Sequence, residues 1–288
     1  MNLPQQNLSW HRDDVEQKFG FQGGRFTRVN GWFVVLTASI LSVAFYGSLT
    51  PFHGRPFVKM FTDRGLTPYF IVFFAAMALS IIIVKYFKLG LQRKSLKLQI
   101  VPDDADFILS VATARQVIGN LQMYVDDLRK FILFNRIDIA LSNLRNLGRV
   151  TDVDEILRSQ AESDESIMET SYSLIRGLIW GIPVLGFIGT VLGLSTAIGS
   201  FGEVLSESKE IGEITGSLQS VTGGLATAFE TTLVALVAAL ALQFLTTILK
   251  KSEEEFLDEC NEYCQRWIVG RLRVMPFEPK DTHASQIG

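Results

Sequence analysis

Cysteine and histidine are almost missing from this chain, with two of the first and three of the second in 288 residues. His11, His53 and His283 form no cluster, and no glycine-rich loop follows a strand-like run, so the usual grounds for an enzyme are absent. Cys260 and Cys264 sit four apart in CNEYC without the further ligands that a zinc site needs. A disulfide is rare in a reducing compartment, so both are expected to be free thiols on a helix face. The first 28 residues show no short apolar region ending in a small-residue cleavage site. No internal repeat and no convincing strand pattern are found either, which leaves an all-α fold.

The shortage that matters most is charge. There is none between Arg28 and His53, none between Arg64 and Lys85, and none between Arg176 and Glu203. From Glu213 to Lys250 the only charged residue is Glu230. Each run reaches or exceeds the ~20 residues that cross ~30 Å of hydrocarbon at 1.5 Å per residue. With 48% hydrophobic and only 20% charged residues, the chain is too apolar for an ordinary soluble protein. The fold class that follows is a polytopic membrane protein with four transmembrane helices, some extended into a helical polar domain.

The net charge of −3 decides little, but its distribution sets an orientation. Arg25 and Arg28 precede the first span, and Lys85, Lys88, Arg93, Lys94 and Lys97 follow the second. Arg176 precedes the third, and Lys250 and Lys251 follow the fourth. The positive-inside bias places these flanks, both termini and the long central segment in the cytoplasm. The opposite loops carry Arg55, Lys59 and Arg64 in one and Lys209 among Glu203, Glu207, Glu210 and Glu213 in the other. The chain thus divides into an N-terminal segment (1–28), a first transmembrane hairpin (29–89), a cytoplasmic helical domain (90–172), a second hairpin (173–249) and a C-terminal helix and tail (250–288).

Residues 1–28 are expected to form at most a short amphipathic helix on the membrane surface. The first hairpin turns through Pro51, Gly54, Pro56, Gly65 and Pro68, breakers that suit a loop. Pro102 and Asp103 predict a helix start, a second helical run ends at Gly148, and Thr151 with Asp154 has the spacing of a capping box. No proline lies between Thr151 and Pro183, so one helix is expected to run from cytoplasm into membrane. Through Ser200 it would measure roughly 70 Å and serve as a mechanical spine.

The second hairpin holds the polar groups that hydrocarbon does not tolerate casually. In the third span Pro183, Gly186, Thr190, Gly193, Ala197 and Ser200 share one face, a stripe of small residues. Gly189-x-x-x-Gly193 overlaps it and favours close helix approach. Simple packing, with Thr190 bonded to its own backbone, is one reading of this stripe. A polar pathway is the other, and Pro183 leaves the Ile179 carbonyl without a donor and predicts a kink. In the fourth span Thr227, Glu230 and Val234 share a face, while Gly224, Ala228, Thr232, Ala235 and Ala239 share another. Glu230 lies about one turn inside the hydrocarbon and needs a wet cavity, a partner or a proton. Glu230 and Thr232 stand about 200° apart around the axis, so one faces the pathway and the other a neighbouring helix.

IPVLGFIGTVLG and GLATAFETTLVALVAAL resemble the MotA/TolQ/ExbB proton-channel family, over about Leu174 to Leu249. Four spans with an insertion between the second and third look more like the MotA arrangement of flagellar stators than the three-span ExbB and TolQ proteins. The resemblance implies a homopentamer around two copies of a single-span ExbD/TolR/MotB-like partner, which supplies a transmembrane aspartate. It also implies a bacterial inner-membrane location and an ion-driven motor. Thr190 and Thr232 match the family's pore threonines and, with Glu230 and Thr227, make up the expected ion pathway. ExbB- and TolQ-like chains commonly carry glutamate where this one has Thr227, and whether Glu230 takes that role stays open. Pro183, Gly186, Gly189 and Gly193 are expected to serve helix packing and the kink.

The chain has no aspartate in any span, so an acid supplied by a partner would complete a relay. No cofactor is expected beyond the transported H+ or Na+, and the threonines suit either ion. Besides the partner helix, membrane lipid and a cytoplasmic rotor or regulator are expected to contact the chain, and no nucleic acid. Rotor-contact residues cannot be mapped, so a flagellar role does not follow. A non-conducting membrane scaffold recruiting cytoplasmic partners is the alternative. An independent transporter is disfavoured by the lack of paired broken helices.

Overall fold

The computed structural model describes residues 8–98, 100–102, 107–144, 150–207 and 211–273. Their regular structure is helical, apart from two isolated bridges, Leu8 with Val125 and Leu109 with Leu272. Asp103, Gly148 and the side chains of the acidic stretch 203–213 lie outside the described residues. The chain forms two compact units: a polar unit of Met1–Arg28, Phe87–Glu169 and Ser252–Gly288, and a membrane unit of Val29–Tyr86 and Thr170–Lys251.

Four helices supply spans long and apolar enough to cross a membrane: α3 (Gly31–Leu49), α5 (Thr67–Leu96), α9 (Ser173–Glu207) and α10 (Ile211–Trp267). Large apolar side chains such as Trp32, Val43, Phe187, Leu240 and Ile248 are exposed along them, as lipid contact requires. The first two spans are joined by polar contact as well as packing. The Thr37 hydroxyl donates to the Phe33 carbonyl at 2.8 Å and meets the buried Ser80 hydroxyl across the helices. Asn30 starts α3 by accepting the Trp32 amide at 2.9 Å.

The breakers between α3 and α5 do more than turn the chain. Pro56 opens a short helix, α4 (Pro56–Thr62), where its missing N–H costs nothing. Val58 and Phe61 on α4 form a buried cluster with Leu49, and Val234 of α10 packs on it. Breaker counting missed α4 because a seven-residue helix gains its stability from this contact rather than from propensity.

The expected uninterrupted spine is corrected in one place. Helix α8 (Val150–Ser171) ends at a turn at Tyr172 before α9 begins. Lys85 of α5 occupies that turn: its ammonium donates to the Ser171 hydroxyl at 2.9 Å and sits 4.4 Å from the centre of the Tyr172 ring. A buried lysine needs such company. The longest uninterrupted helix among the described residues is instead α10, whose 57 residues measure about 85 Å.

The polar unit corrects three further expectations. First, residues 8–28 form no surface helix but two single turns, α1 (Trp10–Asp13) and α2 (Val15–Lys18), with Trp10, Asp14 and Glu16 buried. Lys88 of α5 explains the burial, pairing with Glu16, lying 3.9 Å from Asp14 and donating to the Arg28 carbonyl at 2.7 Å. Burial, opposed by Lys88 and reinforced by Glu16, holds the Asp14 carboxyl above its usual range. Second, the helix placed at Pro102 begins at Val111 instead, as α6 (Val111–Tyr124), with Ser110 and Thr113 forming a capping box.

Third, the long run expected to end at Gly148 breaks after Tyr124 and resumes as α7 (Ile132–Ser142). Asp126 causes the break. Its carboxylate accepts the Trp10 amide at 2.9 Å, the His11 amide at 3.0 Å and the Ser9 hydroxyl at 2.9 Å, closing the exposed start of α1. Gln92 of α5 then holds α7, donating to the Lys130 carbonyl at 2.7 Å and accepting the Ile132 amide at 3.1 Å. In α8, Asp154 pairs with Arg158 at 3.0 Å and accepts from Gln265, rather than closing a capping box with Thr151. Cys260 and Cys264 are free, buried thiols.

Although burial pushes the Asp126 carboxyl up, the donors from His11, Trp10, Ser9 and Asp127 outweigh it and hold it below the usual carboxylate range. A lowered folded-state value contributes stability above the unfolded pKa and loses it as pH falls through the folded one. Asp126→Asn is therefore expected to lower the thermal midpoint by about 2–4 °C at neutral pH, the shift that roughly 1 kcal/mol of capping brings in a domain of this size. The gap between variant and parent should close below about pH 4. Thermal unfolding of the purified protein at several pH values checks both.

Candidate functional site

Helices α9 and α10 approach each other closely, and the sequence shows why. Small residues recur every three or four positions on α9, and a second small stripe on α10 meets them. A methyl group added at Gly186 would lie 2.6 Å from the Ala235 Cβ, and one at Gly224 would lie 2.6 Å from the Ala197 Cβ. Added at Gly193, it would meet the Ala228 Cβ at 3.4 Å. The partners rise on one helix as they fall on the other, which is an antiparallel zipper. Ala197, Ala228, Ala235 and Ala239 are buried in it. Gly189 faces Thr231 of α10 and Thr67 at the start of α5, whose methyl groups would lie 2.9 and 3.0 Å from a methyl added there.

Thr190 and Thr232 sit midway along this zipper and touch each other through their hydroxyls. Thr190 lies 3.2 Å from the Gly186 carbonyl and 3.1 Å from the Ala228 carbonyl. Thr232 lies 3.0 Å from the same Gly186 carbonyl and 3.4 Å from that of Ala228. The result is a compact set of four oxygens holding only two protons. Each hydroxyl can donate to a carbonyl or to the other hydroxyl, so the direction of the chain can reverse without any heavy atom moving. Four neutral oxygens also make a partial cage for a dehydrated cation. Both side chains are half-buried. Thr190 therefore bonds across to α10 as well as back to its own helix.

Glu230 engages a different neighbour. Its Oε2 accepts from Arg64 Nη2 at 2.7 Å, with the two side chains 36% and 25% exposed. Arg64 lies just before α5, in the connection that also carries α4. The acid thus has the partner that its position demands, and it points away from the Thr190–Thr232 pair. The Thr227 side chain lies outside the described residues. Helix α9 continues through Pro183, and the interruption nearest the site is at Tyr172.

The structure brings Thr190, Thr232, Gly186, Gly189 and Gly193 into one interface and leaves Glu230 outside it. Sequence reasoning missed Arg64, which reads as one of three cations in a loop until the fold delivers it to Glu230. It also missed Thr231, buried beside Thr232, and Thr67. Doubling of threonine at 231–232 was the available signal.

Residues 132–262 match the MotA/TolQ/ExbB proton channel family. The match spans α7, α8, α9 and most of α10, and so reaches well beyond Leu174–Leu249 on both sides. No curated protein and no solved structure gives a match. With four spans and a threonine pair inside the matched hairpin, this multi-pass membrane protein resembles the MotA/TolQ/ExbB proton channel family through residues 132–262.

Proposed function

We propose that this chain is the channel-forming subunit of an ion-driven motor in a bacterial inner membrane. In this reading five copies surround two copies of a single-span ExbD/TolR/MotB-like partner, with both chain termini cytoplasmic. The observation that carries it is the Thr190–Thr232 hydroxyl pair, set between two carbonyls where the family-matched helices approach closely. It is a neutral, reversible relay, and the chain offers no second intramembrane acid beside it. Glu230 is already engaged by Arg64. The titrating carboxylate is therefore assigned to the partner helix, where each charge crossing 100 mV supplies about 2.3 kcal/mol for a mechanical step.

The assignment separates two roles within the spans. Thr190 and Thr232 belong to the ion path, while Glu230 and Arg64 fasten the α4 connection to α10 on the side assigned as extracytoplasmic. Gly186, Gly189 and Gly193 let the path's walls approach, and Thr227 is kept as a candidate by its place one turn before Glu230. Proton and sodium fit the four-oxygen site equally in charge and differ in the assay.

Three outcomes are expected. Co-expression with a single-span partner bearing a transmembrane aspartate should give particles with five copies around two helices by cryo-electron microscopy, and a monomer or closed dimer would overturn the motor. In proteoliposomes of that complex, Thr190→Val and Thr232→Val should each cut potential-driven ion flux by about tenfold, the weight of one lost hydrogen bond of roughly 1.4 kcal/mol. Thr232→Ser should restore most of it, and runs with and without sodium identify the ion. Flux unchanged in both valine variants sinks the pathway assignment. Finally, Arg64→Glu and Glu230→Arg should each lower the thermal midpoint, and the double exchange should recover part of the loss. A coupling of about 1 kcal/mol is expected for a pair this accessible to solvent.

A further inference from the structure

The polar unit contains a cleft that ion conduction does not use. It has a volume of about 510 Å³, in the range of specific binding pockets, and α8 and the end of α10 form its walls. Its floor is apolar, with Leu157, Met168 and Leu257 buried. Arg136 of α7 joins that floor and is 1% exposed. Its Nε donates to Asp164 at 2.6 Å and its Nη1 to Asn261 at 2.5 Å. Its Nη2 is buried and has no hydrogen-bond partner among the described residues. A buried guanidinium N–H left unpaired is costly, so the cleft is short of one acceptor.

The rim carries the opposite character. Glu162, Glu165 and Asp258 line it as exposed carboxylates. The one exposed cation of the lining, Arg158, is already paired with Asp154. Exposed acids alone mean only a solvated helix face. Here they surround an apolar floor and an unsatisfied donor, which restricts what fits.

We propose that this cleft is a docking site for the C-terminal end of a basic amphipathic helix from a partner protein. Lysines or arginines on that helix meet the three carboxylates, and two or three apolar side chains fill the floor. The helix's final carbonyls, left without intrahelical donors, supply the acceptor that Arg136 Nη2 lacks. Basic residues in the last turn suit such a helix on its own account. The site goes beyond the channel reading and stands or falls without it.

Ala161, half-buried in the cleft wall, reports occupancy. The full chain carrying Ala161→Cys is placed in nanodiscs, and its alkylation rate is followed with and without an 18-residue Lys/Leu helical peptide. Cys260 and Cys264 are buried and give a slow background. The peptide is expected to slow alkylation by tenfold or more. The effect should be lost when Glu165→Lys and Asp258→Lys are added, and kept with Glu259→Lys, which changes an exposed acid outside the cleft. A Glu/Leu peptide of the same length should give no protection. Absence of protection, equal protection by both peptides, or protection that survives Glu165→Lys with Asp258→Lys overturns the proposal. Protection that rises with protein concentration and needs no peptide also overturns it, and assigns the cleft to a second copy.

Discussion

Everything proposed for the membrane unit depends on how closely α9 and α10 approach. Two helices in hydrocarbon gain nothing from burying leucine, because lipid is as apolar as leucine. They gain from contact at short range, and contact at short range needs residues with almost no side chain. Gly186 against Ala235 and Gly224 against Ala197 leave no space for another methyl group. That constraint brings the backbone carbonyls of Gly186 and Ala228 within reach of hydroxyls from both helices. Packing and polar function are not competing explanations of the small-residue stripe here, since the oxygen cluster exists because the stripe permits the approach.

The same logic explains why Glu230 lies elsewhere. A carboxylate is too large and too strongly hydrated for a zipper of glycine and alanine, and its cost in hydrocarbon calls for a cation. The connection between α3 and α5 provides one. Val234, one turn after Glu230, packs on the Leu49–Val58–Phe61 cluster. Apolar contact and ion pair together fasten that connection to α10. The first hairpin, outside the family match, thereby gains a structural reason to be in the protein.

The spans, their number and the faces of α9 and α10 were legible in the sequence, because charge-free runs and three-four spacing report directly on hydrocarbon and helix geometry. The polar unit was much less so. Nothing local marks Asp126 as the residue that stops a helix, since its partners at Ser9, Trp10 and His11 lie more than a hundred positions away. Lys88 reads as a positive flank of a span and turns out to be buried with Glu16 and Asp14. Charge patterns predict topology well and tertiary pairing poorly, and Arg64 shows the same limit within the membrane unit.

These buried pairs also limit which movements are inexpensive. Lys85 against Ser171 and Tyr172, and Lys88 against Glu16, are desolvated cations whose loss of partners would cost several kcal/mol each. A step that separates either pair is therefore opposed strongly, whereas exchanging a proton direction between Thr190 and Thr232 displaces no heavy atom. The chain combines stiff, buried lysine contacts with a soft pair of hydroxyls. The two lie on different helices, the lysines on α5 and the hydroxyls on α9 and α10, so the fastenings can hold while the hydroxyl pair reorients.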